Sequence, residues 1–421
     1  MRRRPRVRTG AAAPTASPRP TASLRPGASL RPATSLRPAA SLLLAGSLLL
    51  GVAGCSSEDG FPGEGPRQGS AAKSPGEEAS SGTPSTPPAP AKGSVKVVRT
   101  LTAKLGSPWG VAALPGGDLL VGSRDTGKIA RVAVKDGAQS EVGEVPGVVK
   151  GGEGGLLGLA VSPDFATDRL VYAYFTTDSD NRIARLRYDE RKPAGQRLGA
   201  PDTVLRGIPK GNVHNGGRIA FGPDRMLYAG TGESGERGLS QDRKSLGGKI
   251  LRMTPDGRPA YGNPEENSVV HSYGHRNVQG LAWDAGKRLW ASEFGQNTWD
   301  ELNLIRPGGN YGWPVVEGKA GRSGYTDPVE QWKTSDASPS GLAFAKGSLW
   351  MAGLRGERLW RIPLDGTKPV AGPQAFLQGE YGRLRTVLAT DDGGLWLTTS
   401  NTDGRGKPGG EDDRILRLEV S

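Results

Sequence analysis

His214 is the side chain best suited to proton chemistry. It is one of three histidines in the chain and sits in Asn212-Val-His-Asn-Gly-Gly-Arg. An imidazole takes up a proton near neutral pH. Gly216 and Gly217 leave the backbone open to close approach by a ligand. Taken alone, a loop histidine is more often structural than catalytic. Tyr273-Gly-His-Arg-Asn-Val-Gln-Gly sets Arg276, a fixed forked cation, beside Asn277, an amide that both donates and accepts. Ser292-Glu-Phe-Gly-Gln-Asn-Thr-Trp-Asp-Glu mixes acidic side chains with glycine-bearing backbone, which is either a hard-cation environment or a turn. Pro307-Gly-Gly-Asn-Tyr-Gly-Trp-Pro reads as a rigid aromatic loop able to wall a pocket. In Tyr381-Gly-Arg-Leu-Arg-Thr-Val, Arg383 and Arg385 stand two apart on a strand and share one face. With loop-borne Arg355 in the preceding repeat, they call for an anionic ligand with several acidic groups.

These residues must be positioned by a repeated scaffold. A strand ending in Gly-Val/Leu-Ala, a turn with Pro or Asp-Gly, and a second apolar strand recur down the chain. The copies begin at Trp109-Gly-Val-Ala, Gly158-Leu-Ala-Val, Gly217-Arg-Ile-Ala, Gly280-Leu-Ala-Trp, Gly341-Leu-Ala-Phe and Thr386-Val-Leu-Ala. Most end on a strand carrying Arg, as in Ile129-Ala-Arg and Ile415-Leu-Arg-Leu. Six units over residues 95–421 average about 54 residues each, which suits four-stranded propeller blades with loops. A β-sandwich rarely repeats six times, and a β-helix has shorter, more even coils. The expected class is all-β, a six-bladed β-propeller. Its longest inserts, at 188–213, 254–276 and 306–337, are where a site is built.

The N-terminus belongs to a different physical regime. The formal charge of +12 is dominated by nine Arg within residues 1–54, a stretch with no Asp, Glu or Lys. Without them the balance is 12 − 9 = +3, which makes no case for nucleic-acid binding. The low-complexity Arg-rich start leads into an apolar run from Ala39 to Ala53, short for a membrane span and suited to a signal peptide. The run ends Val52-Ala53-Gly54-Cys55-Ser56, and Cys55 is the chain's only cysteine. That ending resembles a bacterial lipobox. It predicts a leader over 1–54, lipidation at Cys55 and an extracytoplasmic protein held to the membrane by acyl chains. Residues 55–94, rich in Ser, Pro and Gly, bury too little to order themselves and read as a tether, with the folded domain at 95–421.

Taken in order, the clusters resemble the glucose/sorbosone dehydrogenase family, soluble quinoprotein sugar dehydrogenases on a six-bladed propeller. The likeness covers 95–421 and rests on Glu153-Gly-Gly-Leu-Leu-Gly-Leu-Ala, His214 with Gly217-Arg, and Gly274-His-Arg-Asn-Val-Gln-Gly. It extends to Asp300-Glu-Leu-Asn, Gly308-Gly-Asn-Tyr-Gly-Trp-Pro and Arg383-Leu-Arg. The resemblance implies oxidation of an aldose to its lactone with pyrroloquinoline quinone and Ca2+. His214 then takes the anomeric hydroxyl proton while hydride leaves the same carbon. Glu153 lies next to substrate, Arg276 stabilises charge on the reducing cofactor, and Asn277 contacts that cofactor. Arg383 and Arg385 match arginines that hold cofactor carboxylates, and Arg355 stands where a lysine is common. Gly295 and Gln296 offer backbone carbonyls to calcium, Gln296 standing where Pro is frequent. Val213 precedes His214 where some members place an acid that orients the base. The implied partners are a sugar and an unidentified electron acceptor. A propeller that binds a sugar or a partner surface without turnover is the alternative. It accounts for the anchor and the repeats but not for Arg276, Arg383 and Arg385 together with His214.

Overall fold

The computed structural model describes residues 87–421. The expected leader, Cys55 and the tether as far as residue 86 lie outside them.

The described residues form six antiparallel sheets, five of four strands and one of five. Each is a blade whose strands run outward in chain order. The first blade comprises Pro108–Ala113, Leu119–Ser123, Lys128–Val132 and Gln139–Glu144. Its Leu-Leu-Val second strand is buried almost throughout, because both faces pack on neighbouring blades. The Arg-bearing segments Lys128–Val132, Asn181–Arg187, Lys249–Met253 and Arg358–Asp365 are third strands, as the repeat predicts. The closing blade departs from simple chain order. Val95–Thr102 pairs with the C-terminal strand Ile415–Val420 and completes the blade begun at Leu384–Ala389. The ring is thus sealed by hydrogen bonds between the two ends of the domain.

The recurring glycine has a steric cause. Cβ atoms built on Gly110, Gly158 and Gly341 would lie 2.4, 2.1 and 2.7 Å from the carbonyl oxygens of Leu157, Gly217 and Arg385 in the next blade. Innermost strands approach that closely only where one side lacks a side chain. Packing also begins earlier than residue 95. Ala89 is buried and its N–H donates to the Leu364 carbonyl (2.9 Å), while buried Arg361 donates to the Pro90 carbonyl (2.9 Å). The last residues assigned to the tether are therefore docked on the fifth blade.

Candidate active site

In five of the six innermost strands the pairing register shifts near the start, between Pro108 and Val111, Leu156 and Leu159, Val278 and Gly280, Pro339 and Leu342, and Leu384 and Val387. Such bulges re-aim side chains. Here they gather Trp109, Gln279, Ser340 and Arg385, from four different blades. Ser340 Oγ donates to Gln279 Oε1 (3.0 Å), and the Arg385 guanidinium lies 5.6 Å from the Trp109 ring centre. Arg218, from the third blade, stacks on Trp109 at 4.5 Å and donates to the Gln279 carbonyl (2.8 Å).

Above this floor lies a cavity of about 350 Å³, a size usual for small-molecule sites. Five guanidiniums line it (Arg124, Arg355, Arg383, Arg385 and Arg405) against two carboxylates, Glu153 and Asp403. Arg383 directly precedes its strand and Arg385 lies in the bulge, yet both reach Asp403 Oδ2, at 2.8 and 3.1 Å. The two arginines do converge, but through the bulge rather than through strand alternation, and on a shared carboxylate that the sequence did not reveal. Burial pulls the Arg385 guanidinium down to about 10, with Asp403 opposing that shift, so it stays charged at neutral pH. Burial opposes ionisation of Asp403, but Arg385 and Arg383 hold its carboxyl below the usual range. Arg355 is exposed and forms no ion pair among the described residues. Arg124 pairs with Asp125 (2.6 Å) and Arg405 with Glu153, while Arg383 and Arg385 share Asp403, so five guanidiniums meet three carboxylates and the remaining positive charge favours an anion carrying more than one acidic group.

His214 adopts the left-handed conformation (φ 56°) and is held from two sides. Its backbone N–H donates to Glu153 Oε2 (2.9 Å), and its Nδ1 lies 2.7 Å from Oε1 of buried Glu233. A carboxylate acceptor fixes the proton on Nδ1 and leaves Nε2 with its lone pair. The acid that orients the imidazole is therefore Glu233, nineteen residues downstream, and not the neighbour at 213. Glu153 also pairs with Arg405 (2.8 Å) and lines the arginine cavity. It links that cavity to the histidine.

Arg276 and Asn277 adjoin this pair. Glu233 N–H donates to the Arg276 carbonyl (3.0 Å), and Gly216 N–H to Asn277 Oδ1 (2.9 Å). Arg276 reaches the Phe294 carbonyl (3.3 Å) and lies 5.4 Å from the Trp313 ring centre. Phe294 lines the arginine cavity, so the two groups meet there as well. Buried His275 bonds Glu293 (2.7 Å) and Ser272 (2.8 Å) and stacks on Tyr311; Glu293 also accepts the Arg276 N–H (2.8 Å). It packs and positions. His271 is buried edge-on to Tyr228, and burial pushes it down to about 4.

Four buried polar atoms here have no partner: Arg276 Nε, Asn277 Nδ2, Trp313 Nε1 and Glu233 Oε2. Uncompensated buried polar atoms are costly and rare. Together with the excess of guanidiniums, they fit a polar, polyanionic ligand. Gly295 and Gln296 lie in the next loop, and no protein donor reaches either carbonyl among the described residues. Burial pushes Asp300, which accepts the Gly295 N–H, up to about 7. No cluster of three or more His, Cys, Asp or Glu side chains suited to a metal occurs among the described residues, so a cation here would rely on backbone oxygens.

Residues 105–416 match the family model described as glucose/sorbosone dehydrogenase. Aldose sugar dehydrogenase YliI of Escherichia coli is 30% identical over 73% of this chain and 91% of its own length. Quinoprotein glucose dehydrogenase B of Acinetobacter calcoaceticus is 35% identical over 54% of each chain. Among solved structures, the PQQ-bound form of an aldose sugar dehydrogenase from Streptomyces coelicolor is 72% identical, with a TM-score of 0.79, over 79% of this chain and all of that one. The floor of bulged strands, the arginine cavity and the histidine–glutamate pair are thus carried by a chain that belongs to the glucose/sorbosone dehydrogenase family.

Proposed function

We propose that this protein oxidises an aldose at its anomeric hydroxyl, with pyrroloquinoline quinone as hydride acceptor and Ca2+ beside it. The observation that carries this reading is the cavity with five arginines against two carboxylates, next to a histidine fixed by Glu233. Arg383 and Arg385 would hold the cofactor's carboxylates, with Arg355 at the rim. Asn277 would supply a further amide contact, and the Gly295 and Gln296 carbonyls would hold calcium. When bound, the quinone supplies the two-electron acceptor.

The protein's own residues do the rest. His214 Nε2 accepts the hydroxyl proton, which eases departure of hydride from the same carbon. Glu233 keeps the imidazole in the productive tautomer and stabilises it once protonated. Glu153 holds the His214 backbone and offers the sugar an acceptor. Arg276, held close by its stack on Trp313, stabilises negative charge developing beside it; burial pulls its guanidinium down, and Glu233 and Glu317 oppose that shift. The relatives, a quinoprotein glucose dehydrogenase and two aldose sugar dehydrogenases, one of them PQQ-bound, support the substrate class and the cofactor. Fluorescence titration of cofactor-free protein with the quinone and calcium, followed by dye reduction over a sugar panel, tests the reading. Tight binding with dye reduction supports it; binding without turnover of any sugar points to a binding propeller.

The protein is further proposed to act outside the cytoplasm, anchored through Cys55. Intact mass of exported protein is expected to begin at Cys55 and carry acyl chains. An unmodified Cys55 in that protein contradicts the anchor.

A further inference from the structure

The geometry points to Glu317 as the residue that aims the calcium-binding carbonyls, an inference that rests on the function proposed above. Glu317 Oε1 accepts four consecutive backbone N–H groups: Gln296 (2.7 Å), Asn297 (3.2 Å), Thr298 (3.1 Å) and Trp299 (3.1 Å). The preceding amide, Gly295 N–H, is taken by Asp300 Oδ1 (2.9 Å). Five successive donors are thus claimed by two carboxylates.

The consequence follows from peptide planarity. In a trans peptide the N–H of one residue and the C=O of the residue before it share a plane and point in opposite directions. Gripping the Gln296 N–H therefore turns the Gly295 carbonyl away from Glu317. Gripping the Asn297 N–H does the same to the Gln296 carbonyl. Among the described residues no protein donor reaches either carbonyl, whereas the Asn297 carbonyl accepts from Thr334 Oγ1 (3.5 Å). Gly295 is fixed in the same arrangement, since a Cβ there would lie 1.7 Å from the Trp299 carbonyl oxygen and 2.7 Å from Glu317 Oε1. Glu317 is itself anchored by its neighbour, whose N–H donates to buried Glu301 (Gly318 to Oε1, 2.7 Å). Its charge also lowers the potential at a cation site.

A residue that orients metal ligands without touching the metal typically changes metal affinity by roughly 10–100-fold when removed. The test uses quinone-loaded full-length protein stripped of calcium. Calcium affinity is read by competition with a chromophoric chelator, beside the thermal midpoint without calcium. Glu317→Ala is expected to weaken calcium binding by roughly that range. Glu317→Gln, which keeps an acceptor oxygen in place, is expected to restore most of the loss, with the calcium-free midpoint near parent. Glu317→Asp, too short to reach all four amides, is expected to fall between them, and it decides alone if the alanine variant does not fold. Parental calcium affinity in a folded Ala or Asp variant overturns the role of Glu317 while leaving the carbonyl cradle intact. A parent protein that takes up no calcium overturns the cradle and this inference with it.

Discussion

Replacing His214 with Gln or Ala is expected to slow reduction of the bound quinone by an aldose by about 10²–10⁴-fold, the usual contribution of a positioned base. The geometry explains why the loss is so large. Nδ1 is committed to Glu233 at 2.7 Å, which leaves Nε2 as the free basic nitrogen, and the backbone is locked by Glu153 at 2.9 Å. Removing the ring removes the acceptor, while the arginines proposed to bind cofactor remain. Glu233→Gln keeps the base but loosens its tautomer and withdraws the countercharge, so a smaller loss is expected. His271→Ala is expected to lose stability rather than rate, because that ring packs against Tyr228 away from the cavity. The measurement is single-turnover absorbance of the quinone under excess sugar in the parent and each variant. A parental rate in both His214 variants, with cofactor bound, would place the base elsewhere.

Cofactor affinity is where the arginine substitutions are expected to act. Arg383→Ala or Arg385→Ala each removes a charge-assisted contact of roughly 1.5–3 kcal/mol, equivalent to about 10–150-fold in the quinone's dissociation constant. Because both guanidiniums share Asp403 Oδ2, the two losses are not expected to add. Removing one hands the carboxylate wholly to the other and blunts the remaining cation. Arg355→Ala is expected to cost less, since that side chain is exposed and screened. Fluorescence titration supplies the constants, with thermal midpoints to confirm folding. Unchanged affinity in both Arg383 and Arg385 variants would contradict their assignment.

Much of the architecture was legible because steric need repeats in the chain. The Gly-Val/Leu-Ala signature marks where innermost strands meet, and six copies give six blades. The closure of Val95–Thr102 onto Ile415–Val420 was not legible, since pairing between the ends of a chain leaves no local pattern. His214, Arg276, Asn277, Arg383 and Arg385 could be named because they sit in dense, distinctive runs. Their partners could not. Glu233 stands in an ordinary Thr-Gly-Glu-Ser turn, Asp403 in Asn-Thr-Asp-Gly, and Glu317 four residues past Trp313. Each carboxylate acquires its role only when loops from separate strands converge at the top of the ring. Trp109 and Gln279 look like framework residues until the bulges turn them toward the axis. Gly216 and Gly217 are not open to a ligand as expected: Cβ atoms there would lie 2.5 Å from Thr231 and 2.7 Å from Leu157, so these glycines serve close packing, and the adjacent Arg218 is part of the floor.

On the proposed mechanism one cavity joins a polyanionic quinone to a sugar-oxidising base. The most direct test is the spectrum of cofactor-free protein reconstituted with pyrroloquinoline quinone and calcium, recorded before and after addition of excess aldose without any dye. The bound quinone is expected to pass to its reduced form within the mixing experiment, with one lactone formed per quinone, while free quinone under the same conditions does not. A bound quinone that stays oxidised with every aldose offered would contradict it.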